Sequence, residues 1–147
     1  MPSFTGTVPN LVDVGPLIEI LISPSRAYIE ALHASHEGAA IVTSAIRATA
    51  MIDTGASGTV VNPRVISTLG LSAVGSVAIH TPSTTQPIDC DQFHVDISFP
   101  NAVSFTNAVV ICAPLGMQNI ECLIGRDILE NAVLTYIGYI NQFTISF

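Results

Sequence analysis

Lysine is missing from this 147-residue chain, leaving Arg26, Arg47, Arg64 and Arg126 as its only strongly basic side chains. Set against 11 acidic residues, they give a net charge of −7. Neutralising a phosphate backbone takes clustered Lys and Arg, so nucleic acid is excluded as a partner. Charge of either sign is scarce, at 10% of residues, while 49% are hydrophobic. Such a composition can bury a core and does not describe a disordered chain. Long apolar runs are lacking too. Leu17 to Ile22 is interrupted by Glu19 and falls far short of the roughly 20 residues of a membrane span, so no membrane partner is expected. The opening Met1-Pro2-Ser3-Phe4 has no basic segment ahead of an apolar one, which makes a cytoplasmic location the default expectation.

Cysteine is sparse. Cys90, Cys112 and Cys122 are an odd set with no close pair, which fits neither a disulfide framework nor a Cys-based metal site and reads as free buried thiols. His33 and His36 lie three residues apart without another ligand type clustered beside them, so neither metal nor cofactor is expected. The length suits a single domain. No internal repeat and no linker interrupts it.

What is present is concentrated in Ala50-Met51-Ile52-Asp53-Thr54-Gly55-Ala56-Ser57-Gly58. An apolar strand stops at one carboxylate, and a turn of small residues bares backbone amides around it. Asp-Thr-Gly alone is also an ordinary turn, in which Asp bonds its own backbone and Gly supplies positive φ. A second stretch, Leu123-Ile124-Gly125-Arg126-Asp127-Ile128-Leu129, follows further along. Together the two resemble the signature elements of retropepsin-like aspartic proteases: the catalytic Asp-Thr-Gly loop, and the apolar-apolar-Gly segment that crosses beside it and leads into a short helix. The resemblance runs from about Leu17 to the C-terminus.

That resemblance implies an all-β, closed acid-protease barrel with short helices after the Asp-Thr-Gly loop and after Leu-Ile-Gly. The rest of the chain reads in keeping with it. Residues 1–15 form an irregular arm and 16–147 one domain. Leu17 to Ile22 make a first strand. Ser23-Pro24 is a helix-start signal, predicting an inserted helix near 24–36 that faces inward through Ala27, Ala31 and Leu32 and closes near Gly38. Ile46, Ala48, Ala50 and Ile52 alternate with Arg47, Thr49 and Met51, a strand leading into Asp53. Asn62-Pro63 opens a helix through Val65, Ile66 and Leu69 that Gly70 ends. Phe93, Val95, Ile97 and Phe99 alternate with His94, Asp96 and Ser98. Residues 103–106 and 108–112 continue the strand pattern, 120–124 lead into Gly125, and residues 133–137 and 143–147 close the sheet.

Hydrolysing a peptide bond with carboxylates takes one group to accept a proton from water and another to polarise the carbonyl. This chain has a single Asp-Thr-Gly. A twofold homodimer with Asp53 from each subunit face to face completes the pair, which then shares one proton. By resemblance, Asp53 is catalytic, with Thr54, Gly55, Ala56 and Ser57 supporting it. Thr54 braces the two loops across the interface, or is simply a local turn hydroxyl. Ala56 replaces the hydroxyl that pepsin-like enzymes carry there, which implies a less acidic activity optimum. Ser57 stands where viral relatives have the acidic partner of an arginine, so Arg126 is left to bond backbone carbonyls or another carboxylate. Leu123, Ile124 and Gly125 are structural beside the site. Ile79, His80, Thr81, Pro82, Ser83 and Thr84 fall where the family has its substrate-covering flap, without the glycines of viral flaps; a plain surface hairpin is the other reading. The implied activity is endopeptidase cleavage of peptide or protein substrates. The alternatives are a catalytically weak dimer that binds extended peptides, and a structural β-domain in which Asp53 caps a turn.

Overall fold

The computed structural model describes residues 1–35, 44–116 and 119–147. The chain order is β1 (Ser3–Thr7), α1 (Leu11–Val14), β2 (Leu17–Pro24), α2 (Arg26–Ala34), β3 (Ile46–Ile52), β4 (Val60–Val61), α3 (Pro63–Leu69), β5 (Gly75–Ile79), β6 (Ile88–Ser98), β7 (Ser104–Cys112), β8 (Cys122–Ile124), α4 (Arg126–Leu129), β9 (Val133–Ile137), a 3-10 turn at Gly138–Ile140, and β10 (Gln142–Ser146). Strands dominate, as expected of an all-β protein.

Strand pairing runs β2-β3-β8-β4-β7-β6, and β2 also pairs with β6, through Leu21↔Ser98 to Pro24↔Val95, closing the ring. Closure removes the open edges that a flat sheet would leave. β5 extends from β6 outside the ring. Side chains alternate as the sequence pattern requires. On β3, Ala48, Ala50 and Ile52 are buried; on β6, Phe93, Val95 and Ile97 are, and their outward neighbours stay accessible. Inside the ring these meet Val61, Val110, Cys122 and Ile124 in one core.

Two pairings inside the ring are parallel: β3 with β8 and β4 with β7. β8 therefore runs alongside β3 from Ala50↔Cys122 to Ile52↔Ile124, so the segment after β8 emerges beside the segment after β3. This register places Gly125 against the Asp53 loop. α3 forms as read: Asn62 accepts from the Arg64 N–H at 3.0 Å, Pro63 opens the first turn, and Gly70 ends the helix at φ 66°.

Three expectations change. Residues 1–15 are not an irregular arm: β1 pairs with β10, and Leu11 on α1 is fully buried. β9 and β10 do not close the main sheet but form a separate antiparallel sheet, β1-β10-β9. The reason is that Gly6, bare of a side chain, lets the Phe143 ring lie within 2.6 Å of where a Cβ would stand, so β1 is a better partner for β10 than any barrel strand. The inserted helix is present but starts later. Pro24 still belongs to β2, opposite Val95, and the cap is Ser25, whose hydroxyl accepts from the Tyr28 N–H at 3.1 Å. Its half-buried residues are Tyr28, Ile29 and Leu32, while Ala27 and Ala31 are exposed, because the larger apolar side chains gain more by turning inward. Gly38, the expected closure, and His36 lie outside the described residues.

Candidate active site

Asp53 is the first residue after β3. Its backbone N–H donates to the Ile124 carbonyl at 3.0 Å, extending the β3–β8 pairing by one bond. Its Oδ1 accepts the Gly55 N–H at 2.8 Å, and its own carbonyl accepts the Ala56 N–H at 3.2 Å. These bonds make a tight Asx-type turn with the carboxylate on its outer side. A Cβ at Gly55 would stand 3.1 Å from Asp53 Oδ1, crowding the oxygen that the amide serves.

The loop is held from behind by the second sequence element. The Arg126 N–H donates to the Ala56 carbonyl at 2.9 Å, and Arg126 Nη1 donates to the Thr54 carbonyl at 2.8 Å. Of the two roles left open for Arg126, the backbone carbonyl is the one realised. Gly125 crosses against Gly58 so closely that a Cβ would lie 2.4 Å from the Gly58 carbonyl carbon and 2.5 Å from its oxygen. Only glycine fits there.

One residue of this crossing was not foreseen. Thr59, 1% exposed, accepts the Gly125 N–H on Oγ1 at 3.1 Å and donates the same hydroxyl to Asp127 Oδ1 at 2.8 Å. Its backbone N–H donates to Asp127 Oδ2 at 2.9 Å. Asp127 also accepts the Ile128 N–H at 2.9 Å, so its carboxylate serves the first turn of α4 and the opposite loop together. The only sequence signal for Thr59 is a hydroxyl at the head of the apolar pair Val60-Val61. Beneath the crossing, Cys122 is fully buried, and desolvation, reinforced by Asp127, pushes its thiol far above the ordinary range.

A cleft of about 430 Å³ opens over the Asp53 loop. Asp53, Gly55, Ala56 and Ser57 form its floor, Leu123, Val60 and Ile111 supply an apolar wall, and Ile79, His80, Thr81 and Pro82 come from the β5–β6 hairpin. Ser83 and Thr84 do not line it; they complete the hairpin tip, where the Thr84 N–H donates to the Thr81 carbonyl at 3.1 Å and the Thr81 and Thr84 hydroxyls meet at 2.9 Å. Pro82 sits second in that turn, a position its fixed φ suits. Thr54 faces elsewhere. With Arg126, Leu129, Glu130 and Leu134 it lines a second, apolar recess of about 340 Å³. Ile124 and Gly125 are buried under the loop.

No curated protein matches the chain. Among solved structures, a retropepsin-like aspartic protease from Rickettsia conorii aligns over 88% of this chain and 91% of its own at 14% identity and a TM-score of 0.48. EIAV protease in complex with the inhibitor HBY-793 aligns over 79% and 86%, at 14% identity and a TM-score of 0.47. The retroviral protease-like domain of Ddi1 from Leishmania major aligns over 81% and 79%, at 15% identity and a TM-score of 0.42. The sequence pattern of the aspartyl proteases matches residues 34–128, more than half of the chain and a span that holds the Asp53 loop, the β5–β6 hairpin and the Gly125 crossing. The chain thus belongs to the aspartyl protease family.

Proposed function

We infer that the protein is an aspartic endopeptidase whose centre is a pair of Asp53 carboxylates, one from each subunit of a twofold homodimer. The observation that carries this reading is the placement of Asp53 on the floor of a peptide-sized cleft, with one oxygen held by the Gly55 N–H at 2.8 Å. A carboxylate fixed in this way keeps one orientation toward whatever enters the cleft. Its missing half is supplied by symmetry, since a C2 interface sets each residue against its own copy.

In the assembled site the two carboxylates share one proton, because two facing charges at hydrogen-bonding distance cannot both ionise at low cost. The ionised member takes a proton from water as the oxygen attacks the scissile carbonyl. The protonated member donates to the carbonyl oxygen, and the proton is passed to the leaving amine as the tetrahedral species collapses. Thr54 braces the two loops, the Ile79 to Thr84 hairpin closes over substrate as a flap, and Leu123, Val60 and Ile111 receive side chains flanking the scissile bond.

Incubation with a diverse peptide library, with and without a statine-type transition-state mimic, tests the assignment. Inhibitor-sensitive cleavage that disappears in Asp53→Asn, with the fold unchanged by circular dichroism, is expected. Cleavage that survives Asp53→Asn would sink it, and tight peptide binding without cleavage would leave a peptide-binding dimer instead.

A further inference from the structure

β5 lies outside the closed ring and pairs on one side only, with β6. Every second residue of Gly75–Ile79 therefore turns its backbone N–H and carbonyl toward an open edge. Edge strands are normally blunted by a charge, a proline or a bulge. β5 has none of the three: it reads Gly-Ser-Val-Ala-Ile, in unbroken register with β6 from Gly75↔Gln92 to Ile79↔Ile88. The edge also leads into the candidate site, because its last residue, Ile79, lines the Asp53 cleft with Val60 and Ile111. A chain lying extended in the cleft and continuing past Ile79 runs onto unpaired backbone from Ala78 back to Gly75, roughly 13 Å of strand.

The two faces of this hairpin differ in chemistry. Ser76 opposes Asp91 and Ala78 opposes Asp89, and directly opposed residues share a face. All four are exposed, whereas Val77 and Ile79 on the other face are half-buried and Cys90 is buried. The carboxylates thus stand one strand in from the edge, behind two side chains too small to cover them. Neither is in an ion pair among the described residues. A strand added to the edge would lie two strand spacings from them, roughly 10 Å. Lysine and arginine cross that gap by laying an apolar stem along Ala78 and carrying the charged head to the carboxylate; shorter side chains do not reach. A second copy of β5 is a poor occupant for the same edge, since it has no cation and brings two more carboxylates to the shared face.

We propose that the substrate is an extended peptide whose segment beyond the cleft pairs with the free edge of β5 and carries lysine or arginine at alternate positions, held over Asp89 and Asp91. This rests on the paired-Asp53 reading and specifies the substrate class of that site. Backbone pairing supplies affinity, and the alternate side chains supply the selection. Only every second residue of the added strand shares the carboxylate face, so the basic residues have to alternate. In the twofold dimer the second subunit offers its own β5 edge on the other side of the scissile bond, so basic flanks on both sides are favoured. The chain itself has no lysine, four arginines and a net charge of −7, which opposes a basic partner nowhere by strong local repulsion and draws it in from a distance.

The test uses fluorescent peptides that share one apolar centre and carry alternate Lys or alternate Glu in both flanks. Binding is read by anisotropy on Asp53→Asn, and cleavage by KM and kcat on the wild-type protein. The Lys peptide is expected to bind about tenfold tighter than the Glu peptide, since two exposed charge pairs each contribute modestly, and to show the difference in KM. The ratio should fall toward one in the double variant Asp89→Asn/Asp91→Asn and at high salt. N-methylation of alternate flank residues, which keeps the charges and removes backbone donors, should weaken binding several-fold. Equal binding of the Lys and Glu peptides, a preference kept by the double variant, or indifference to N-methylation would each overturn the β5 assignment. If wild type cleaves neither peptide while Asp53→Asn keeps the Lys preference, the β5 edge stands and the peptidase reading falls. If both are cleaved with equal KM, the peptidase reading stands and the β5 edge falls.

Discussion

Replacing Thr59 by valine separates two accounts of what holds the site together. Valine keeps the shape of threonine and is the more apolar of the two, so burial alone predicts that Thr59→Val is neutral or stabilising and that Thr59→Ser, which deletes a methyl, is the worse variant. The hydrogen bonds predict the reverse. Without the hydroxyl the buried Gly125 N–H loses its acceptor at 3.1 Å, and Asp127 Oδ1 loses a donor at 2.8 Å. An orphaned buried donor costs about 1–3 kcal/mol, and a hydrogen bond to a carboxylate contributes about 1.5–3 kcal/mol. The carboxylate side is discounted to about 1 kcal/mol, because Asp127 is an exposed residue and water can replace the donor. Thr59→Val should therefore lose about 2–4 kcal/mol. Thr59→Ser keeps both bonds and should lose only about 1 kcal/mol for its methyl. For a chain of this size the valine variant should melt roughly 6–12 °C lower. Chemical denaturation and thermal melts at one fixed protein concentration, so that assembly contributes equally, read the order directly. A valine variant as stable as wild type, or a serine variant less stable than the valine one, refutes the reasoning.

Gly125→Ala forces a methyl to within 2.4–2.5 Å of the Gly58 backbone, where no side chain can swing aside; a loss of about 3 kcal/mol or more is expected by denaturant titration. Pro82→Gly frees the second position of the hairpin turn without touching the core, so KM for a peptide substrate should rise several-fold while the denaturation midpoint moves by less than about 1 kcal/mol. Cys122 carries a pH dependence. Burial raises its folded thiol far above the unfolded value near 9.0, so the stability tied to the neutral thiol is complete below that value and is lost as pH rises beyond it. The loss approaches about 1.4 kcal/mol per pH unit for one proton. Cys122→Ala should show a flatter decline between pH 9 and 10 than wild type in denaturation curves, and equal slopes would contradict the assignment.

The parts of the fold governed by local pattern were legible in the sequence. Period-two alternation gave β3 and β6, and Asn62, Pro63 and Gly70 gave both ends of α3, because each signal acts within a few residues. The Asp53 loop and the Gly125 crossing were legible as motifs. What escaped notice acts over distance. Thr59 and Asp127 are 68 residues apart, so their bond leaves no periodicity in the sequence. β1 escaped because Ser3, Thr5 and Thr7 present no buried stripe, and its place depends on Phe143 needing the space above Gly6. The start of α2 was displaced for a similar reason. Ser23-Pro24 is a sound local start signal, but pairing with β6 carries the strand one residue past it.

The crossing also explains how a loop of small residues presents a carboxylate without repelling it. A turn this tight has carbonyl oxygens as well as amides near its charged group, and each oxygen turned inward would oppose the ionised form. Arg126 removes two of them. Its backbone N–H takes the Ala56 carbonyl and its guanidinium takes the Thr54 carbonyl, at 2.9 and 2.8 Å, which draws both oxygens to the α4 side of the loop. The Gly55 N–H is thereby left directed at Asp53 Oδ1. Ser57 offers no acidic side chain that could draw this guanidinium away. The positive charge consequently sits behind the loop, bonded to its backbone and not to Asp53. It holds the backbone of the loop in place and leaves Asp53 Oδ1 to the Gly55 N–H.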